Sequence, residues 1–220
     1  MNIFSTLEPA QQARQLSNPE GPVGLAVAEW LNGNNREGTA QVLAMMKLRP
    51  DCHVLEIGFG NGRAAPEVMG QAANIRYSGI DISPTMVDEA IRFNQTHISA
   101  GRANFHLAFA EQMPFPDATF DRVFSIGVAH FWEDPTGPLR EIYRVMRPGS
   151  FAVMGALDSR SPPQFARPEF GFHLRTASEW EALYRNAGFS TVNTQVVETE
   201  QTTPDGKPIK RYSVRVTAQH

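Results

Sequence analysis

The sequence predicts an α/β fold in which parallel strands are joined by crossover helices, and three observations predict it. From Cys52 onward, short apolar segments alternate with segments of helical periodicity, the pattern that βαβ units produce. The first apolar segment runs into a glycine-rich turn, VLEIGFGNG, at residues 54–62. Near the C-terminus two β-type segments flank the turn-forming TPDGKP, which reads as a terminal antiparallel hairpin.

Residues 1–50 read as helices: EPAQQARQL, then GPVGLAVAEWL, then about Glu37 to Leu48, where Val42, Leu43 and Met46 have helical spacing. The Gly33–Asn35 cluster breaks that run. Residues 1–40 are therefore expected to form an N-terminal helical lid segment and residues 41–220 the ligand-binding domain. The expected strands are HVLEIG, IRYSGID, ANFHLAF, DRVFSIGV and SFAVMGALD, with helices near Arg63–Ala73 and from Pro84 to about Ser99. Leu139, Ile142, Tyr143 and Met146 fall on one helical face before Pro148-Gly149. Trp180, Leu183, Tyr184 and Ala187 repeat the spacing, opened by the capping box Thr176–Glu179 and closed by Gly188. STVNTQVVETE and KRYSVRVTA form the hairpin.

At about 150 residues per domain, 220 residues suit one α/β unit with an added segment. The chain is 41% hydrophobic and 20% charged, which supplies a core and excludes disorder. Twenty basic against 23 acidic residues leave a net charge of −3, without the basic excess of a nucleic-acid or anionic-membrane binder. Cys52 is the single cysteine, so an internal disulfide and a multi-cysteine metal site are both excluded. The N-terminus lacks a signal-peptide pattern, and no apolar run reaches the ~20 residues of a membrane span. A cytoplasmic protein is expected.

The glycine turn is where chemistry concentrates. Gly58, Gly60 and Gly62 allow positive φ and close backbone approach, and the helix that follows offers free N–H groups to an anion. Asp81 ends the next strand, 21 positions after Gly60, where a carboxylate can accept both hydroxyls of a ribose. A nicotinamide dinucleotide is the first reading, and two features oppose it. Arg63 stands where that pattern wants its third glycine, with Gly62 one place early. Glu56, two residues before Gly58, would repel a dianionic pyrophosphate. A ligand with an ammonium and a sulfonium suits these acids better, and S-adenosylmethionine is such a ligand: its carboxylate would meet the loop amides and its ribose Asp81.

Four segments in order carry a resemblance: VLEIGFGNG, GIDISPTMVDEA, AEQMPFPDATFDRVFS and LREIYRVMRPGSF. They resemble the glycine motif, the ribose motif, the adenine-side loop with the fourth strand, and the turn before the fifth strand of class I S-adenosylmethionine-dependent methyltransferases. The group similar to ubiquinone and menaquinone C-methyltransferases is the nearest likeness, which spans roughly residues 40–190. It implies a Rossmann-like, seven-stranded, mostly parallel sheet with an antiparallel last strand, helices on both faces and extra N-terminal helices. It also implies that S-adenosyl-L-methionine is held by Glu56, Gly58, Gly60, Gly62, Asp81, Ile82, Met86, Ala110, Glu111 and Ile126. Phe109 departs from the pattern, standing where many relatives carry an adenine-binding Asp, so that contact falls to Glu111, Gln112 or backbone groups. Ser150 replaces the second glycine after Pro148.

Methyl transfer from a sulfonium needs an acceptor lone pair held in line and dry, and needs a base only when the acceptor carries a proton. Ligands of open α/β sheets bind beyond the carboxyl ends of the strands, which places VAHFWEDP at the mouth. His130 is the candidate base or acceptor-orienting group, with Phe131 and Trp132 as walls. The N-terminal GPVGLAVAEWLNGNN and the long SRSPPQFARPEFGFHLR could close the site, and Phe165, Phe170 and Phe172 would suit an apolar or aromatic acceptor. His53, His97, His106 and His173 lack metal-ligand spacing, so no metal is expected. Lys207, Lys210, Arg211 and Arg215, interspersed with Glu200 and Asp205, read as a solvated face of the hairpin. The chain lacks the Asn/Asp-Pro-Pro-aromatic sequence of many nucleic-acid amino-methyltransferases, which favours a small-molecule acceptor. Two other readings stand beside this one: a module that binds the cofactor without chemistry, and an NAD(P)-dependent oxidoreductase.

Overall fold

A computed structural model describes residues 6–161, 167–202 and 208–220. Its centre is a seven-stranded sheet of β1 (His53–Ile57), β2 (Arg76–Asp81), β3 (Ala103–Leu107), β4 (Phe120–Ile126), β5 (Met146–Leu157), β6 (Thr191–Thr202) and β7 (Pro208–Gln219). The order is β3-β2-β1-β4-β5-β7-β6. The strands from β3 to β5 pair in parallel, and β7 is antiparallel to both neighbours. The predicted seven-stranded, mostly parallel sheet with an antiparallel last strand is therefore present. The last strand, however, lies inside the sheet, slotted between β5 and β6.

Because side chains alternate along a strand, each strand feeds two cores. Val54 faces Val42 and Leu43 of α3 (Arg36–Met45), Val68 of α4 (Ala65–Gly70) and Val87 of α5 (Pro84–Phe93). Leu55 and Ile57 belong to the opposite core, with Leu139 and Ile142 of α7 (Thr136–Val145) and Trp180 and Tyr184 of α8 (Ala177–Asn186). Helices thus cover both faces, and fully burying side chains of this size stabilises by ~1.5–3 kcal/mol each. The capping box at α8 forms as the sequence predicts, with the Thr176 hydroxyl accepting from the Glu179 amide and the Glu179 carboxylate accepting from the Thr176 amide.

Three elements depart from the sequence reading for local reasons. The helix expected from Pro84 to Ser99 divides into α5 and α6 (Gln95–Ser99) at Asn94. The buried Asn94 amide donates to Ala90 O at 2.9 Å and Gly62 O at 3.1 Å, which competes with helix continuation. β5 begins at Met146, and its register against β4 shifts between Phe120 and Arg122, so Pro148-Gly149 is absorbed as an irregularity within the strand. The division expected at residue 40 falls inside the continuous α3, and α1 (Pro9–Ser17) and α2 (Gly21–Asn34) precede it. Most of TPDGKP and Phe165 lie outside the described residues. No described helix is long and apolar enough to cross a membrane.

Candidate active site

The carboxyl ends of β1, β2, β4 and β5 open into a cavity of about 460 Å³. Its floor is the glycine turn after β1. Gly58 and Gly60 have φ of +72° and +57°, a left-handed conformation that L side chains rarely adopt. A Cβ at Gly60 would meet nothing within 4 Å, whereas one at Gly58 would lie 2.2 Å from Val128 Cγ2. Gly60 therefore keeps cavity space open, and Gly58 lets the turn pack under the end of β4.

The three glycine amides are already spoken for inside the protein. Gly58 N–H donates to Ile80 O, Gly62 N–H to Phe59 O and Gly60 N–H to Asp81 Oδ2 at 2.9 Å. These three bonds fix the shape of the cradle. Asp81 Oδ1 accepts from Ser83 N–H at 2.9 Å. Each Asp81 oxygen retains further accepting capacity, compatible with two ribose hydroxyls. Burial pushes its pKa up to about 6 despite these hydrogen bonds.

Glu56 lies beneath the turn, almost wholly buried, and accepts a hydrogen bond from the Tyr77 hydroxyl. Burial, opposed by the Tyr77 bond and reinforced by nearby Asp81, raises its pKa to about 8. Among the described residues this buried pair of acids has no ion-pair partner, and a positively charged ligand would supply one.

On the adenine side, Ile82 and Phe109 are exposed hydrophobics at 39% and 65%, and both line the cavity with Ala110 and Glu111. The Phe109 that departs from the family pattern offers an apolar surface with Ile82. The N-terminal helices form the opposite wall. Asn32 of α2 donates to Asn61 Oδ1 at 3.1 Å, Gly21 N–H donates to Thr85 Oγ1, and Ser83 Oγ donates to Pro19 O. Arg63, the residue that broke the dinucleotide pattern, pairs with Glu29 of α2 and Glu89 of α5 and lies over the Phe93 ring. It ties the helices together around the turn.

His130, in the turn after β4, lines the cavity with Phe131, Trp132, Leu157 and Phe172. Its ring stacks on Phe172 with centroids 5.5 Å apart. Nδ1 accepts from Leu157 N–H at 3.3 Å, so a neutral ring carries its proton on Nε2. Burial, aided by the charge of Arg211, pushes its pKa down to about 3. The ring is consequently a hydrogen-bond donor, since its one basic nitrogen is occupied by the backbone. Of the two roles expected for His130, the geometry favours orienting over base.

Glu56, Gly58, Gly60, Asp81, Ile82, Ala110, Glu111, Ile126, His130 and Trp132 all border this one cavity. Gly62, Met86 and Phe170 do not. Gly62 is a packing position, where a Cβ would lie 2.7 Å from Ala90 Cβ. Met86 is fully buried in the core, with its amide capped by Ser83 Oγ. Phe170 packs with Ala13 and Leu157 in a small satellite core, whereas Phe172, expected beside it as an acceptor wall, does border the cavity. Arg211 and Arg215 also differ from expectation. Lys210 is exposed and pairs with Glu198, but Arg211 borders the cavity and Arg215 is only 7% exposed. The cause is α3, which packs over this face of β7: a Cβ at Gly38 of α3 would lie 3.1 Å from Arg215 Nη2.

The strand order, the glycine turn and the paired acids at the ends of β1 and β2 define an α/β domain built for a nucleoside ligand with cationic character. Residues 55–154 match the family described as a methyltransferase domain, and over this stretch the chain is similar to the class I S-adenosylmethionine-dependent methyltransferases. It is 28% identical over 158 residues to the O-methyltransferase resE of Aspergillus sclerotiorum, covering 69% of this chain and 60% of that protein. It is 29% identical over 124 residues to the ubiquinone/menaquinone biosynthesis C-methyltransferase UbiE of Geotalea daltonii, covering 56% and 52%. The chain thus spans between half and two thirds of these relatives. A crystal structure of an S-adenosylmethionine-dependent methyltransferase from Aquifex aeolicus superposes with a TM-score of 0.65 at 21% identity, covering 96% of this chain and 98% of that one.

Proposed function

We propose that this protein methylates an oxygen of a small, largely apolar molecule, with S-adenosyl-L-methionine as donor. The observation that carries the reading is the single cavity in which Gly60, Glu56 and Asp81 share a wall system with His130, Trp132 and Phe172. The residues present fit the cofactor: an open space beside Gly60, two buried acids without an ion-pair partner among the described residues, and the apolar pair Ile82 and Phe109. When bound, S-adenosylmethionine supplies a methyl on a sulfonium, which passes to an acceptor lone pair by in-line displacement and leaves a neutral thioether.

The chain's own residues bind, orient and exclude water. Glu56 and Asp81 favour the positive charge and hydroxyls of the cofactor through charge and charge-assisted hydrogen bonds. Trp132, Phe131 and Phe172 provide the dry wall against which an acceptor is held. His130 Nε2–H can donate to the acceptor and fix its direction, while the ring leaves any proton removal to the acceptor's own acidity. A donor without basic capacity suits an oxygen acid that ionises by itself, in keeping with the O-methyltransferase named among the relatives. Residues 1–40 act as a wall over the cofactor half, latched by Asn32 to Asn61. Incubation with S-adenosylmethionine and a panel of phenols, enols and carboxylic acids, reading S-adenosylhomocysteine release, tests the proposal. Cofactor binding without turnover on any acceptor would leave a binding module, and a melting shift with NAD(P) instead of S-adenosylmethionine would favour the oxidoreductase.

A further inference from the structure

Beside His130 the cavity continues into a recess of about 140 Å³, which shares Asn35, Ile126, Leu157 and Arg211 with the main chamber. Two guanidinium groups line the recess. Arg211 and Arg215 lie four residues apart on β7, so their side chains leave the same face of the sheet. That face meets α3, where room for Arg215 is made by two glycines. A Cβ at Gly38 would stand 3.1 Å from Arg215 Nη2, and one at Gly155 3.3 Å from Arg215 Nη1. Arg211 Nη1 donates to Asn35 Oδ1 at 3.3 Å, and Arg215 Nε is buried without a partner.

Among the described residues neither guanidinium forms an ion pair, although Glu37 and Glu200 stand on the border of the same recess. Glu37 is instead the acceptor for Gln41 Nε2. Burial holds the pKa of both arginines below the usual value, and the charge of Arg215 further disfavours the charged form of Arg211. Two like charges lining one recess and partly withdrawn from water cost stability unless an anion joins them. Arginine forks are matched in geometry to the paired oxygens of carboxylate and phosphate. A structural explanation by a protein carboxylate is missing here, and the recess opens toward the place where the acceptor would lie.

We infer that the acceptor carries an oxyanion, a carboxylate or a phosphate, and that Arg211 and Arg215 bind it in the recess beside His130. This rests on the methyltransferase reading, since it names the substrate class of the same cavity. The anion anchors one end of the acceptor at β7 while its apolar body lies along Phe131, Trp132 and Phe172, so that the group to be methylated points toward the cofactor half. Specificity follows from the same pairing, because an uncharged analogue leaves both guanidinium groups without a counter-ion.

Calorimetry with benzoate, phenyl phosphate and benzamide, on the protein with and without S-adenosylhomocysteine, tests the inference. At least one of the two anions is expected to bind about tenfold or more tighter than neutral benzamide, and the better anion tells carboxylate from phosphate. Arg215→Gln and Arg211→Gln are each expected to lose about tenfold or more of that affinity, with S-adenosylhomocysteine affinity unchanged. Arg211, only partly buried, supplies the variant that folds should Arg215→Gln fail to. Equal binding of benzamide and the anions, no binding of either anion up to its solubility limit, or unaltered anion affinity in a folded variant would overturn the proposal. Failure of S-adenosylhomocysteine to bind would count against the methyltransferase reading alone, because the anion site is also read on the cofactor-free protein.

Discussion

The Tyr77 hydroxyl donates to Glu56 across the β1–β2 pair, and the two side chains are buried together beneath the glycine turn. Glu56 therefore holds a proton at neutral pH in the ligand-free protein, with a pKa of about 8 against an ordinary value of 4.5. The folded state binds more protons than the unfolded state between these values, so the contribution of Glu56 makes stability fall as pH rises from 4.5 to about 8. Asp81 adds the same sign between 3.8 and about 6.

A cationic ligand reverses that trend, because it favours the ionised carboxylate. S-adenosylmethionine binding should release a proton near pH 7 and tighten by up to about tenfold per pH unit below pH 8. Calorimetry in buffers of different ionisation enthalpy measures the release. In Glu56→Gln the release should vanish, the affinity should fall and the pH slope of stability should flatten. An unchanged proton release in that variant would remove Glu56 from the cofactor's surroundings.

Asp81 has two tasks, shaping the turn through Gly60 N–H and presenting its oxygens to the cavity. Asp81→Ala should weaken cofactor binding by ~1–3 kcal/mol. Adenosine serves as the control ligand, since it keeps the ribose but lacks the methionyl part. Loss of affinity for both ligands supports the ribose contact. Unaltered adenosine affinity in the folded variant would confine Asp81 to the turn.

Gly58 and Gly60 separate packing from binding. Gly60→Val places its side chain in open cavity at a left-handed φ that costs roughly 1–2 kcal/mol. It should abolish S-adenosylhomocysteine binding with a small fall in Tm. Gly58→Val drives into Val128 and should lose both binding and several degrees of Tm. Normal binding by Gly60→Val, read by calorimetry, would put the cradle elsewhere.

The parts of the site that were legible in the sequence are those encoded by neighbours in the chain. The strand, the glycine turn and Asp81 at the next strand end form one βαβ unit, and the Thr176 capping box is decided within four residues. What the sequence left hidden depends on contacts between distant segments. The solvated reading of Arg211 and Arg215 failed because nothing local says that α3 packs over this face of β7. The loss of Phe170 from the cavity wall and the occupation of His130 Nδ1 by Leu157 N–H likewise depend on how loops fold over the sheet. A signal for the arginines was nonetheless present: their spacing at alternate positions with Ser213 puts them on one strand face, and a strand face without acids is a poor candidate for a salt-bridged surface.

His130 decides how the acceptor is activated. Its Nδ1 is engaged by Leu157 N–H and its pKa is about 3, so the ring should stay neutral across the working range of the enzyme. The pH profile of kcat/KM should then show no ionisation near the ordinary histidine value of 6.5 that disappears on mutation. His130→Ala should lower kcat about 10- to 100-fold, the loss expected when a hydrogen bond worth ~1.5–3 kcal/mol to a charged group is removed from the transition state. S-adenosylhomocysteine affinity should change little. His130→Gln retains a donor of similar reach and should recover much of the rate, which proton abstraction could not do. The measurement needs an acceptor of ordinary acidity, because a strongly acidic surrogate is ionised without help. A profile in which the wild type loses activity below pH 6.5, with His130→Gln as slow as His130→Ala, would instead assign His130 as the base and require the Leu157 hydrogen bond to break during turnover.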